Sequence, residues 1–419
     1  MTIDDRGDDR MYVPAWQGLT LRTLLGRQRK LAPFPFHAQH RTAFHTARSA
    51  IYHLFRKLVE TGRTKVLAPD YHMGNELRAI RAAGAQVELY SIGYDGRPDL
   101  EEISRRASRG ADVLLTIHYA GWPQPIPELR KLCDAQRIVL VEDCALALFS
   151  EIGGQPLGSF GDYAVFCLYK TLPVIDGGIL VQNRDPFVEL DRLPLRPIGR
   201  AFEMGQAAEL WMERLRGRAP HVGAALAAAK RGIGALLDML NVERVPVGDV
   251  GFNTAHASLA MSVWSDRLLE HLDYAVIRPR RQRNFTMLAE RLAAAGIAPW
   301  LDLEPGVCPL FFPLLVKDKP AAGRALRARG VMATELWNEG DPLSASHEGP
   351  EARFLRRHVL ELPIHQDIRE DQIRYMAEQV VELNVALERT SGEVGQPAGR
   401  AGAHANRTTR RALSVASLS

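Results

Sequence analysis

The sequence predicts an α/β fold built on a mostly parallel sheet, and three observations carry that reading. Ile138-Val139-Leu140-Val141 is a continuous apolar run without alternation, as expected of a strand buried on both faces. Residues 65–69, a helix reaching Ala83, a turn at Gly84 and a second run at 87–90 form a strand–helix–strand unit, which implies a right-handed crossover between parallel strands. At 419 residues the chain is too long for one simple core, so two domains plus tails are expected.

Taken in order, residues 1–43 read as a mobile start followed by short, proline-broken segments. Ala47, Ile51, Leu54, Phe55 and Leu58 then recur at helical spacing until Gly62. The first turn of that helix, Thr46-Ala47-Arg48-Ser49, is small and hydroxylated. Its free N–H groups and positive dipole end suit an anion, or Thr46 serves as a plain N-cap. Beyond the 65–90 unit, a helix begins at Pro98-Asp99-Leu100, and a strand over 113–117 delivers His118-Tyr119-Ala120-Gly121. A further apolar run, 163–169, leads to Lys170, and Asp176-Gly177-Gly178 opens a strand at 179–181. Residues 190–243, rich in Leu, Ala, Arg and Met, read as a helical excursion. Helices over 257–272 and 276–295, strands at 308–316, 331–333 and 359–365, and helices at 321–329 and 370–387 make an α+β unit. The expected division is a large domain over 44–250 and a small one over 251–389. The tail, 390–419, is rich in Gly, Ser, Thr, Ala and Arg and is expected to be disordered.

The net charge of +4 is small for this length and the basic residues are scattered, so nucleic acid is not an expected partner. The run of Arg278, Arg280, Arg281 and Arg283 reads as a solvated helix face. Cys133, Cys144, Cys167 and Cys308 lack metal-like spacing and read as reduced, buried thiols of a cytoplasmic protein. No stretch reaches the ~18 uncharged apolar residues of a membrane span, and the acidic N-terminus lacks a signal-peptide core.

Chemistry concentrates between Ile138 and Gln182. Asp143 ends one strand, and Lys170, 27 residues later, follows another. An acid that keeps a pyridine nitrogen protonated and an amine that forms a Schiff base are what pyridoxal 5'-phosphate (PLP) requires. Either residue alone also has a structural reading, Asp143 as a helix cap and Lys170 as a surface lysine. The ordered set of acid, Gly-Ser-Phe-Gly-Asp turn (158–162), lysine and Asp-Gly-Gly is far more specific. Lys170 is also the only one of eight lysines that closes a seven-residue apolar run. His118, Asp143 and Lys170 all sit at strand ends, where ligands of open parallel sheets collect.

DCALAL, GSFGD and FCLYKTLPVIDGG resemble the DegT/StrS family of PLP-dependent sugar aminotransferases, and the likeness runs from about Phe44 to Leu383. The resemblance implies the aspartate-aminotransferase-like fold type I, with a large domain and a small α+β C-terminal domain. It implies Asp143 as the pyridine partner, Lys170 as the Schiff-base lysine, and Arg48 and Ser49 at the cofactor phosphate. An aromatic that stacks on the ring follows Pro69 in the family. Tyr71, His72 and Met73 compete for that role, with His72 favoured for its flat imidazole. His118 lines the site near the cofactor by the same likeness, and Asn253 falls in the Gly-x-Asn segment. The sequence departs from the family at Leu146, where a glutamine is usual, at Cys167, where a serine is common, and at Ala255 and His256, where an arginine is expected. The implied function is transfer of an amino group from an amino acid to a keto sugar, nucleotide-linked, in a homodimer. The sugar dehydratases of the family carry histidine at the lysine position, so Lys170 argues against that reaction. The alternative is a PLP-binding member with lost or altered activity, such as a lyase or epimerase. For the dimer, Met204, Leu210, Trp211, Met212, Leu236, Leu237, Met239 and Leu240 supply apolar surface in the excursion. Part of that surface could instead pack on its own domain.

Overall fold

The computed structural model describes residues 11–19, 32–218 and 251–387. The strands begin with β1 (Arg41–Phe44), β2 (Lys65–Pro69), β3 (Gln86–Tyr90), β4 (Val113–Ile117) and β5 (Val139–Asp143). A two-residue hairpin, β6 (Glu151–Ile152) and β7 (Gln155–Pro156), precedes β8 (Tyr163–Cys167) and β9 (Gly178–Gln182). One seven-stranded sheet takes the order β1-β9-β8-β5-β4-β2-β3. The pairs from β3 to β8 are parallel, and β9 is antiparallel to both β8 and β1. Every residue of β4, β8 and β9 is buried, which is why these strands read as unbroken apolar runs.

Helices cover both faces. They are α1 (Ala47–Glu60), α2 (Asn75–Ala82), α3 (Leu100–Ala107), α4 (Ile126–Gln136), the single turn α5 (Val188–Asp191) and α6 (Arg200–Arg218). One apolar core gathers Leu54, Phe55, Leu77 and Ile80 against Val66, Val141 and Val165. On the other face Ile103, Leu129 and Cys133 pack with Leu114, Leu140 and Phe166. After residue 251 come α7 (Val263–Leu269), α8 (Ile277–Ala293), β10 (Phe311–Leu315), α9 (Lys319–Ala328), α10 (Pro350–His358), β11 (Val359–Pro363) and α11 (Glu370–Glu382). β10 and β11 pair antiparallel, and Phe285, Leu288, Phe312, Leu362 and Met376 fill a third core.

Several expectations need correction. β1 lies in a stretch that reads as irregular, because its pairing depends on β9, far along the chain. Residues 11–19 are not loose. Val13 is buried, its N–H bonds the Gly330 carbonyl at 2.9 Å, and Tyr12 and Pro14 offer carbonyls to Gln372 and His365. The expected strand at 331–333 is reduced to isolated bridges, Val13–Val331 and Thr334–Glu361. The helix expected from 257 starts only at Val263. Ala260 is spent on a bridge to Phe44, and Ser262 turns inward as the cap, accepting from the Ser265 N–H. Arg281 is not on a solvated face but fully buried. In the excursion Met204 is 70% exposed, whereas Leu210 and Trp211 pack against the core. Leu236, Leu237, Met239 and Leu240 lie outside the described residues. Among the described residues no helix is long and apolar enough to cross a membrane. All four cysteines are buried and unpaired.

Candidate active site

The parallel strands deliver their carboxyl ends to one edge of the sheet. β1, antiparallel to β9, ends on that edge too, so α1 begins there. Gly178 makes the approach possible. A Cβ on it would sit 2.3 Å from the Thr46 carbonyl carbon and the Ala47 nitrogen, closer than any side chain can come. Thr46 caps the helix, its Oγ1 accepting the Ser49 N–H at 3.3 Å and meeting the Ser49 hydroxyl at 2.9 Å. Immediately before Gly177, the buried Asp176 is held by His45 Nδ1 (2.8 Å), both hydroxyls of Ser262 and Ser265 (2.6 and 2.5 Å) and the Ser262 N–H (3.0 Å). The turn between β8 and β9 is thereby locked to α1 and α7.

A cavity of about 60 Å³ opens at this edge. Thr46, Ala47 and Arg48 line it from α1, Asp143 and Leu146 from the end of β5, Cys167, Tyr169 and Lys170 from β8 and its turn, Met73, Asn75 and Glu76 from the start of α2, and Trp337 from a distant loop. Of the residues singled out from sequence, Arg48, Asp143 and Lys170 therefore line one cavity. β8 stops at Cys167, paired with Gly178, so Lys170 projects from the turn after the strand. Ser49 is buried behind the helix start, next to Thr46.

His72, His118 and Asn253 are not on the lining. His72 is wholly buried beneath Gly340, with Arg356 bonding its carbonyl at 3.0 Å, and burial lowers its imidazole pKa to about 3. Met73, another candidate for the ring-stacking place, is the one that reaches the cavity. His118 stands behind Asp143. Its Nδ1 accepts the Gln124 N–H at 3.0 Å, so Nε2 carries the proton and donates to Glu142 at 3.0 Å. Glu142 also receives the N–H groups of Gly158, Phe160 and Gly161 at 2.9, 2.9 and 2.5 Å, and so ties the glycine turn to β5. His118, Glu142 and Cys144 could be taken for metal ligands, with ligand atoms within 4.8 Å of one another. Both Glu142 oxygens, however, are already occupied by that turn. Asn253 is exposed and caps a short turn, accepting the Ala255 N–H at 2.9 Å. Arg48 touches the same segment by donating to the Gly251 carbonyl at 2.8 Å.

Two lining groups escaped the sequence reading. Glu76 is buried, and its Oε1 accepts the Met73 N–H at 2.7 Å. Burial first, and then the negative charge of Asp143, push its carboxyl up to about 7, against the opposing pull of Lys170. A glutamate in a first helical turn reads as a dipole partner, which hid it. Trp337 carries no periodic signal. Its backbone is left-handed (φ 61°), rare for a bulky residue, and Arg356 holds its carbonyl at 2.8 Å. Asp143 is raised by burial, offset by the Ala145 N–H at 2.9 Å and by the charge of Lys170. The cavity thus combines a helix N-terminus for an anion, a buried carboxylate for a cationic nitrogen and a primary amine for a carbonyl carbon.

The model of the DegT/DnrJ/EryC1/StrS aminotransferase family matches residues 28–230. GDP-perosamine synthase of Vibrio cholerae is 27% identical over 154 residues, covering 36% of this chain and 42% of that protein. A dTDP-4-dehydro-2,3,6-trideoxy-D-glucose 4-aminotransferase of Saccharopolyspora spinosa is 29% identical over 119 residues, 27% of this chain and 30% of that one. The chain thus spans less than half the length of these curated relatives. Among solved structures, the aminotransferase TlmJ of Streptoalloteichus hindustanus superposes with a TM-score of 0.61 at 20% identity, covering 89% of this chain and 98% of that one. Helicobacter pylori PseC, described as an aminotransferase involved in the biosynthesis of pseudoaminic acid, gives 0.62 at 15% identity over the same shares. At these identities the structures speak for the fold, which is fold type I. The matched segment, just under half of the chain, and the shared fold both liken this chain to the DegT/DnrJ/EryC1/StrS aminotransferase family.

Proposed function

We propose that the protein is a PLP-dependent aminotransferase that moves an amino group from an amino acid to a nucleotide-linked keto sugar. One observation carries this reading: Lys170, Asp143 and the N-terminus of α1 share one cavity at the carboxyl edge of the sheet. That donor set fits PLP. The N-terminus of α1, with Thr46 and Arg48, would hold the phosphate, and Asp143 the ring nitrogen. When bound, PLP supplies a carbonyl for Lys170 and an electron sink for carbanion chemistry.

The chain's own residues account for the rest. A charged pyridinium beside Asp143 would offset the burial that raises its pKa and keep the carboxylate ionised. Lys170 Nζ, as a free amine, would take and hold the proton from the substrate carbon that bears nitrogen. Met73 and Leu146 supply apolar wall. The reading extends to a cytoplasmic homodimer, with the large domain at 44–250 and the small one at 251–389, on the pattern of the family. Sedimentation of the purified protein would report the dimer directly.

Leu146 on the cavity wall and Asn253 outside it favour a second reading, a member that binds cofactor but whose turnover is lost or redirected. The test for both is spectral. Lys170→Ala should abolish the borohydride-sensitive visible band of the PLP-loaded protein, and Lys65→Ala and Lys131→Ala should leave it. Retention of that band in Lys170→Ala refutes the assignment. A band that amino donors and nucleotide sugars never alter supports the second reading.

A further inference from the structure

Arg281, on α8, is 1% exposed, and its guanidinium has no carboxylate within 4 Å among the described residues. All its bonds go to neutral oxygens. Nε donates to Gln366 Oε1 (3.0 Å), Nη1 to the carbonyls of Leu310 (2.9 Å) and Pro309 (3.3 Å), and Nη2 to the Thr171 carbonyl (3.3 Å) and Gln17 Oε1 (3.4 Å). Asp367 favours the charge only through space, and burying a cation whose direct bonds all go to neutral oxygens is expensive, so the arrangement asks for a use beyond cohesion. Burial lowers its pKa to about 10, still leaving it charged at neutral pH.

The bonds converge on the residues either side of Lys170. Gln366 Nε2 also donates to the Thr171 carbonyl (3.2 Å), and Gln17 Nε2 donates to the Tyr169 carbonyl (3.3 Å). Lys170 itself sits in a turn beyond the end of β8, where the sheet ladder no longer fixes its backbone. The residues that brace this turn come from three remote places: the arm at 11–19, α8, and the loop between β11 and α11.

We propose that Arg281 is the positioning residue for Lys170, acting with Gln17 and Gln366 as a clamp on the flanking carbonyls that sets where the reacting amine lies in the cavity. The proposal rests on the assignment of Lys170 as the cofactor lysine. It makes the N-terminal arm a part of the active-site support. Among the described residues Arg281 makes no hydrogen bond to a cavity-lining side chain, and its effect passes through the backbone.

The test is the rate of borohydride trapping of PLP on Lys170 in cofactor-stripped protein, read by peptide mass against pH. The variants are Arg281→Lys, Gln366→Leu and Gln17→Leu, the last two retaining a fold if the first does not. Trapping should slow by about tenfold in Arg281→Lys and less in the others, as displacement of a reacting group by a fraction of an ångström predicts. The pH profile at Lys170 should move, while labelling of Lys65 and Lys131 stays constant. Folded variants with wild-type trapping and pH profile at Lys170 overturn the proposal, and so does an equal change at all three lysines. Wild-type protein that traps nothing at Lys170 overturns the cofactor assignment itself, and this proposal with it.

Discussion

Glu76 offers the sharpest physical test of the cavity, because its ionisation needs no ligand to be measured. Folding takes this carboxyl from 4.5 to about 7, through burial first and the charge of Asp143 second. The folded state therefore holds the Glu76 proton more tightly than the unfolded chain does. Stability from this group is greatest at low pH and is lost as pH rises from the unfolded value through the folded one, between 4.5 and about 7. At 1.36 kcal/mol for each pH unit, the loss is on the order of 3 kcal/mol. Glu76→Gln keeps the shape, and its amide oxygen can still accept the Met73 N–H, but it cannot ionise. Urea unfolding of cofactor-free protein should give nearly equal stabilities at about pH 4.5, with the variant gaining steadily until about pH 7 and holding its advantage above. Comparing the two proteins cancels Asp70 and Glu361, whose raised carboxyls titrate in the same range. Parallel curves across that range would refute the claim that Glu76 is buried beside Asp143.

Two further outcomes follow from the geometry. Asp143→Asn should weaken PLP binding by about 1.5–3 kcal/mol, the worth of a charge-assisted contact, in a spectral titration; affinity and half-reaction rates close to wild type would remove Asp143 from its role. Gly178→Ala should lower stability by roughly 1–3 kcal/mol and loosen phosphate binding together, because the new methyl meets the backbone of Thr46 and Ala47. Gly199→Ala, with nothing within 4 Å of its Cβ, is the control for thermal melting, and equal melting shifts in the two variants would contradict the close approach.

The central sheet was legible because strands buried on both faces leave unbroken apolar runs, and β2, β4 and β5 fall where those runs do. Asp143 and Lys170 were legible for a related reason: an ionisable residue next to such a run must be doing chemistry or be solvated. What stayed hidden depends on partners remote in sequence. The run after Tyr163 looked continuous to Tyr169, yet the ladder ends at Cys167 because Gly178, its partner, is where β9 begins. His72 looked like a turn residue free to face a ligand, but Gly340 and Arg356, supplied by residues some 270 positions later, enclose it.

The cavity itself shows why the misses fall where they do. Its floor comes from strand ends, whose identity follows from local pattern. Its rim and supports come from Trp337, Arg281 and Gln17, each placed by contacts that no periodicity announces. Arg281 is the clearest case. Four arginines within six residues look like a wet helix face, and three of them keep some exposure. The fourth is turned inward, and only the carbonyls waiting around it explain that orientation. A buried charge bonded only to neutral oxygens is costly enough that local sequence would argue against it. Its presence is therefore information about the site that strand patterns cannot hold: the turn bearing Lys170 needs external bracing because the sheet has already ended.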